Sequence, residues 1–466
     1  MLGSIATTFA NCFKIQELKS RILFTMLVLA ICRLMAFITM PGLDGAALHA
    51  YLQGVHGGNS ASPLGLYNMF TGGAMEYCAI GTLGIMPYIS ATIVMQLLTA
   101  VVPSLSKMAR EDGGRVKIIK YSRYMTVLIC LGQGCLMAMA WENPKTLQMF
   151  GDFPGRLVLY THALLWYRIQ TTILLTVGTL LLMWLGEQIT ERGIGNGISL
   201  IITIGILARL PSAGQGLLDM FHGGSLNIGN AIVLLALLVS VVGGVIAVTQ
   251  AQRKIPVQYA QRAVGRKIYS GGTSFLPLRL NFSGVMPIIF AQAVLMVPQM
   301  IFQNLSGSNL LGWNWRWVAT LSEWLRQGNF VHLTVYTLLI LFFSYFWTAT
   351  QFNELQISDD LKKNGGYVPG VRPGQATSSF LHNAMSRITL AGAVFLTVIA
   401  VVPIILQTRM QVPQGVAQFF GGTSMLITVG VLLDTMRQME SHLMMRNYDG
   451  FLRGGRGRGA RLRGRL

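Results

Sequence analysis

The chain is short of charge. Only 11% of its 466 residues are Asp, Glu, Lys or Arg, while 52% are hydrophobic and the mean hydropathy is +0.52. A soluble domain carries about a quarter charged residues, so a soluble globular protein is excluded and a membrane protein is predicted. Acidic residues are scarcer still, 17 against 36 basic, for a net charge of +19. The five cysteines (Cys12, Cys32, Cys78, Cys130, Cys135) show no CxxC or CxxxH spacing and fall mostly in apolar runs. They read as small buried residues, with no metal, cofactor or disulfide implied. HExxH, GxSxG and P-loop patterns are missing, so neither intramembrane proteolysis nor nucleotide hydrolysis has support and no enzyme is expected. Ionisable groups are rare inside the apolar runs: Arg33 stands alone near a midplane, while Arg168, Glu187 and Asp434 sit near run ends. A coupled solute transporter places such groups deep in the bilayer, where they are costly unless used.

What is present is a series of apolar runs of about the twenty residues that a spanning helix needs. They lie near 22–40, 84–102, 118–140, 164–185, 196–213, 228–250, 282–304, 331–352, 388–408 and 418–436. The first reaches full spanning length with no A-x-A site after it, so a cleaved signal is not expected. An even number of spans puts both termini on one side. With that side cytoplasmic, the N-terminus, the loops 103–123, 251–279 and 353–387, and the tail hold 27 Lys and Arg, and the opposite loops hold 6. This split follows the positive-inside rule.

Two runs are irregular. LGIMPYISATIVMQLL (83–98) opens with Gly84 and Pro87 and carries Gln96, and it follows the glycine-broken YNMFTGGAME (67–76). GIGNG (193–197) is a weak glycine match, read as a flexible turn opening the next helix rather than a phosphate cradle.

The loops carry the other signals. The 251–279 loop has six basic and no acidic residues, interleaved with Tyr259 and Tyr269. It is longer than a topology signal requires, and it suits an anionic partner: ribosomal RNA, an acidic protein face or anionic lipid. In 353–387, VPGVRPG (368–374) sets two prolines and two glycines around Arg372, which reads as a rigid tip offering a partner contact or as a plain structural loop. The tail GGRGRGARLRGRL (454–466) is basic and of low complexity, suited to a disordered segment drawn to anionic lipid or RNA.

NMFTGGA (68–74), LGIMPYISATIVMQLL (83–98), MWLGEQITERGIGNGISLII (183–202), VPGVRPGQAT (368–377) and FGGTSMLI (420–427) together resemble SecY, the channel subunit of the bacterial Sec protein translocase. The similarity runs in order from the first span to the tenth. It implies an all-α polytopic fold of ten transmembrane helices in two inverted pseudo-symmetric five-helix halves around a pore. The matching division is a cytoplasmic segment 1–21, a half 22–213 with a plug at 64–77, a half 214–436 with cytoplasmic loops 251–281 and 353–387, and a cytoplasmic tail 437–466.

The resemblance implies a pore ring at Ile85, Ile89, Ile198, Ile202, Ile289 and Ile427. Stiff β-branched side chains there gate by dewetting and yield to any passing polypeptide. It implies a plug centred on Asn68, Met69, Phe70, Gly72 and Gly73, and a polar lateral-gate pair, Gln96 and Asn196, whose hydrogen bond would contribute about 1 kcal/mol. Arg253, Lys254, Arg262, Arg266, Lys267 and Arg372 match surfaces that engage the ribosome or the SecA ATPase. Further implied partners are SecE, SecG, signal-bearing preproteins and anionic lipids, with no DNA. The implied location is the bacterial cytoplasmic membrane, with both termini cytoplasmic. The Gly- and His-rich loop 42–64 and the Arg-Gly tail depart from the family pattern. The competing function is a small-solute secondary transporter.

Overall fold

The structure is a computed structural model describing residues 15–55, 68, 71–111, 113–142, 157–159, 164–223, 228–259, 262–264, 267–269, 272–307, 320–321, 323–325, 329–410 and 423–459. The first half contains α1 (Gln16–Leu34), α2 (Gly45–Val55), α3 (Met86–Val101), α4 (Pro103–Arg110), α5 (Gly114–Glu142), α6 (Leu164–Arg192), α7 (Gly197–Leu207) and α8 (Leu210–His222). The second contains α9 (Ile228–Gln250), β1 (Gln252–Tyr259), β2 (Arg262–Val264), β3 (Lys267–Tyr269), β4 (Thr273–Arg279) and α10 (Met286–Gly307). It continues through α11 (Phe330–Gln351), α12 (Glu354–Lys363), β5 (Gly366–Tyr367), α13 (Gln375–Met410) and α14 (Thr423–Gly459).

Among the described residues five helical stretches are long and apolar enough to cross a bilayer alone: Val116–Glu142, Leu164–Arg192, Ile232–Gln250, Phe330–Lys363 and Gln375–Val402. A sixth candidate is the pair α3 and α4, which meet at a 103° bend. The other four expected runs fall on α1, α7, α10 and α14. Charge disqualifies α1 by composition, since Glu17, Lys19, Arg21 and Arg33 all lie within it, and α7 is only 11 residues long.

Pro87 sits in the first turn of α3, where its missing N–H leaves no bond unmade, so it starts the helix rather than kinking it. Asn196 caps α7 by accepting from the Ser199 N–H at 3.4 Å. The GIGNG turn between α6 and α7 is pinned, unlike the flexible turn expected from its glycines. Ile194 N donates to Thr25 Oγ1 at 3.1 Å, Gly195 N to Gln438 Oε1 at 2.9 Å and Gly197 N to Thr190 Oγ1 at 2.9 Å. Three elements thus supply side chains that satisfy its backbone donors.

Within the first half α5 packs on α3 and α6, and α6 on α1 and α7; within the second α11 packs on α10 and α13, and α14 on α9 and α13. The halves meet along two seams, α3 against α10 and α7 against α14. The 251–279 and 353–387 loops add a small sheet to the helical fold, in the order β4-β1-β5. β1 and β4 are antiparallel, with Ile255 opposite Leu276, and Gln258 of β1 pairs with Tyr367 of β5. The 251–279 and 353–387 loops are therefore one unit, built on Ile255, Leu278, Phe352, Val368, Leu381 and Met385. Residues assigned to one side from their charges pair with one another here. The tail also differs from expectation: α14 continues through Gly459, so the first six residues of 454–466 are helical despite four glycines, and 460–466 lie outside the described residues.

Candidate functional site

The site sits where the seams converge. Ile85 precedes α3 and Ile89 lies one turn into it, four residues on and therefore on the same helical face. Ile198 and Ile202 come from α7, Ile289 from α10 and Ile427 from α14. Five of these six isoleucines are buried in one apolar cluster, and Ile198 packs against it half-buried. Both halves and both seams contribute. The cluster offers no hydrogen-bonding side chain at these six positions, so an ion or water file passing between them would be stripped of partners. Burying each isoleucine is favourable by roughly 1.5–3 kcal/mol and is non-directional, so the cluster closes without a fixed geometry.

Directly beside the cluster lies the segment 71–85. Gly84 takes φ +59, and a Cβ there would stand 3.3 Å from Thr71 Cγ2, so this segment turns back tightly against the start of α3. Gly72 and Gly73 take φ +66 and +92. A Cβ on Gly72 would meet Arg33 Nη1 at 2.5 Å and the Gly205 Cα of α7 at 2.9 Å. Only a left-handed residue without a side chain fits between the α1 guanidinium and the α7 backbone. Arg33 Nη1 donates to Gly72 O at 2.7 Å, and its guanidinium stands over the Phe37 ring, 5.3 Å from the centroid. Asn68 is buried, and its carbonyl accepts from Gly73 N at 2.9 Å. Met69 and Phe70 lie outside the described residues, as do 64–67.

Glu76 gathers the polar groups of this segment. Its Oε1 accepts from Arg209 Nη2 and from Asn68 Nδ2, and its Oε2 lies 3.4 Å from His49 Nδ1. His49 stacks on Tyr77, with ring centroids 4.4 Å apart. The sequence reading named none of Arg33, His49, Glu76 and Arg209 as site residues. Their signal was isolation: Arg33 is the lone charge at span depth, and Glu76 is the lone charge between 64 and 85.

Gln96 is half-buried on α3 and Asn196 exposed at the start of α7. Among the described residues no hydrogen bond joins the two, because Asn196 Oδ1 caps its own helix.

On the loop sheet Arg253 and Lys254 of β1 are exposed while Ile255 and Val257 are buried. Arg262 lies on β2 and Lys267 on β3, and Arg266 falls outside the described residues. Arg372 is exposed on its tip, which positive φ at Gly370 (+83) and Gly374 (+102) bends twice. Thr377 Oγ1 holds Arg372 O at 2.8 Å and Ser358 Oγ holds Gly374 O at 2.6 Å. No group of three or more His, Cys, Asp or Glu suited to a metal occurs among the described residues.

The SecY family model matches residues 79–436. The protein translocase subunit SecY of Chlamydia muridarum is 42% identical over 468 residues, covering 97% of this chain and all of that one. Two solved structures share the fold over 90% of this chain and 91% of theirs, each at 18% identity. They are described as "The structure of a protein conducting channel" (TM-score 0.61) and "Sec61 in the Canine ribosome-channel complex from the endoplasmic reticulum" (TM-score 0.57). The chain belongs to the SecY family.

Proposed function

We propose that this chain is a passive protein-conducting channel, through which unfolded polypeptides cross the bacterial cytoplasmic membrane and from which apolar segments leave sideways into lipid. The observation that carries this reading is the isoleucine cluster: six side chains from four helices of both halves, with the 71–85 segment folded against it. An apolar ring seals by excluding water and offers a passing chain no chemistry to bind. The ring is Ile85, Ile89, Ile198, Ile202, Ile289 and Ile427, and the plug is the segment around Asn68, Gly72 and Gly73. The seam of α3 and α10 is the lateral gate, with Gln96 on its first-half wall. A signal sequence that enters this seam shifts the population towards open.

The driving force comes from partners. The exposed Arg253 and Lys254 of β1 and Arg372 of the tip, on the one unit that the two loops build, suit the ribosome or SecA, with SecE and SecG as companion subunits and both termini in the cytoplasm. A solute transporter is the poorer reading, since all six ring positions are isoleucine and the ionisable groups Arg33, His49, Glu76 and Arg209 gather on the 68–76 segment beside the ring rather than in it. The test is reconstitution: vesicles carrying this chain with its companion subunits and SecA should protect a secretory precursor from external protease once ATP is added. Exchange of a small solute without precursor import would overturn the proposal.

A further inference from the structure

Resting on the plug reading, we infer that Glu76 and Arg209 form a releasable clamp that sets how readily the plug leaves the ring. The segment 68–80 is held in two different ways. At its foot the attachment is backbone to backbone: Met40 N donates to Cys78 O and Ile80 N to Ile38 O, both at 3.0 Å, around an antiparallel bridge between Thr39 and Ala79. Such bonds do not depend on side-chain identity and persist in any state that keeps α1 and α2 in place. Among the described residues from Asn68 to Glu76 the outward attachments are side-chain contacts: Arg33 to the Gly72 carbonyl, Arg209 and His49 to the Glu76 carboxylate, and Met75, 1% exposed, in an apolar cluster with Leu48 and Trp141.

The change from one mode to the other falls at Cys78, which takes φ +47. A left-handed backbone is unfavourable for a residue with a Cβ, so Cys78 is the point at which the segment gains by relaxing. The geometry thus describes a fixed foot, a hinge and a head that packs through Met75 and is latched by charge at Glu76.

Arg209 is the partner that matters most. It follows α7, whose Ile198 and Ile202 belong to the ring, while Glu76 belongs to the plug segment. The ion pair therefore ties the plug to a ring helix across 133 residues of sequence. Both side chains are mostly buried, Glu76 at 15% and Arg209 at 25% exposure, so screening by salt is weak. Charge-assisted hydrogen bonds of this kind are stronger than neutral ones, yet unlike packed apolar contacts they re-form in water once the head moves out. Removing the Glu76 charge leaves Asn68 a partner in glutamine but takes from Arg209 the carboxylate that ties it to the plug segment. The pair acts on plug position and touches no translocating chain in the resting state, so these are positioning residues.

The test is a double-mutant cycle on the full chain, purified with its companion subunits and reconstituted into vesicles, read as ion leak without substrate. Glu76→Gln and Arg209→Gln should each raise the leak about tenfold, and the double variant should leak no more than the worse single one. Singles that leave the leak unchanged, or a double whose effects multiply to about a hundredfold, would overturn the clamp. Deleting residues 68–73 separates the two levels: a leak unchanged by the deletion refutes the plug itself. A leaky deletion beside silent point variants refutes the clamp alone. Glu76→Gln is isosteric and carries the test if Arg209→Gln fails to assemble.

Discussion

Arg123 grips Glu187 with two prongs, Nε to Oε1 at 3.2 Å and Nη2 to Oε2 at 2.8 Å, at one end of the antiparallel pair α5 and α6. At the other end Arg168 grips Glu142 the same way, at 2.7 and 3.1 Å. The pairs are 19 residues apart on both helices, and no charged residue lies between them on either. At 1.5 Å per residue that spacing is about 28 Å, close to the roughly 30 Å hydrocarbon thickness of a bilayer. The two braces are spaced as the two interfaces of a bilayer are. Both arginines are more than 40% exposed, so each pair is expected to add little to the stability of the hairpin as a whole. In Glu142→Gln with Glu187→Gln, hydrogen exchange should speed up in the terminal turns of α5 and α6 and stay unchanged at their centres. Uniform loss of protection along both helices would mean that the braces hold the whole hairpin.

Ile427 is 1% exposed in the isoleucine cluster. Replacing it with Asn places an amide where no partner waits, at a cost of roughly 1–3 kcal/mol to the closed state. Single-channel recordings should show more frequent spontaneous opening, and precursors with defective signal sequences should be exported. An unchanged leak with unchanged signal discrimination would remove Ile427 from the barrier.

Gly197 opens α7 beneath the pinned turn, and a Cβ there would lie 1.9 Å from the Gly186 carbonyl oxygen. That contact is with backbone, which cannot swing aside. Gly197→Ala should lower the melting temperature of the detergent-solubilised protein by more than any helix-surface Gly→Ala change, because the α6–α7 turn must separate from α1 and α14.

Arg372→Glu reverses a charge that is exposed and whose backbone is held by Thr377. Assembly with companion subunits should be unaffected, while SecA affinity and ATP-driven import fall by about tenfold or more, as for the loss of a charged contact. Equal import by both proteins would show that the tip does not dock the motor.

The spans were legible because a bilayer imposes length and apolarity on each one, and the charge split between loops then ordered them. The isoleucines were legible only through the resemblance: periodicity alone does not distinguish Ile289 from any other isoleucine of a spanning helix. Three features escaped for physical reasons. The β1–β5 pairing joins loops about a hundred residues apart, beyond any local pattern. The GIGNG turn looked flexible because its partners, Thr25 and Gln438, lie far away in sequence. The Glu76–Arg209 pair needed two charges from different elements to be brought together, which only the packing of α7 against the plug segment does.

The most direct measurement is photo-crosslinking of a precursor arrested midway through the reconstituted complex. A photoreactive residue at position 289 or 427, in the ring, is compared with one at Leu165, which is 71% exposed on the outer face of α6. The account predicts strong crosslinks from both ring positions to the arrested chain and none from position 165. Crosslinks from position 165 with silence at 289 and 427 would contradict a path through the isoleucine ring.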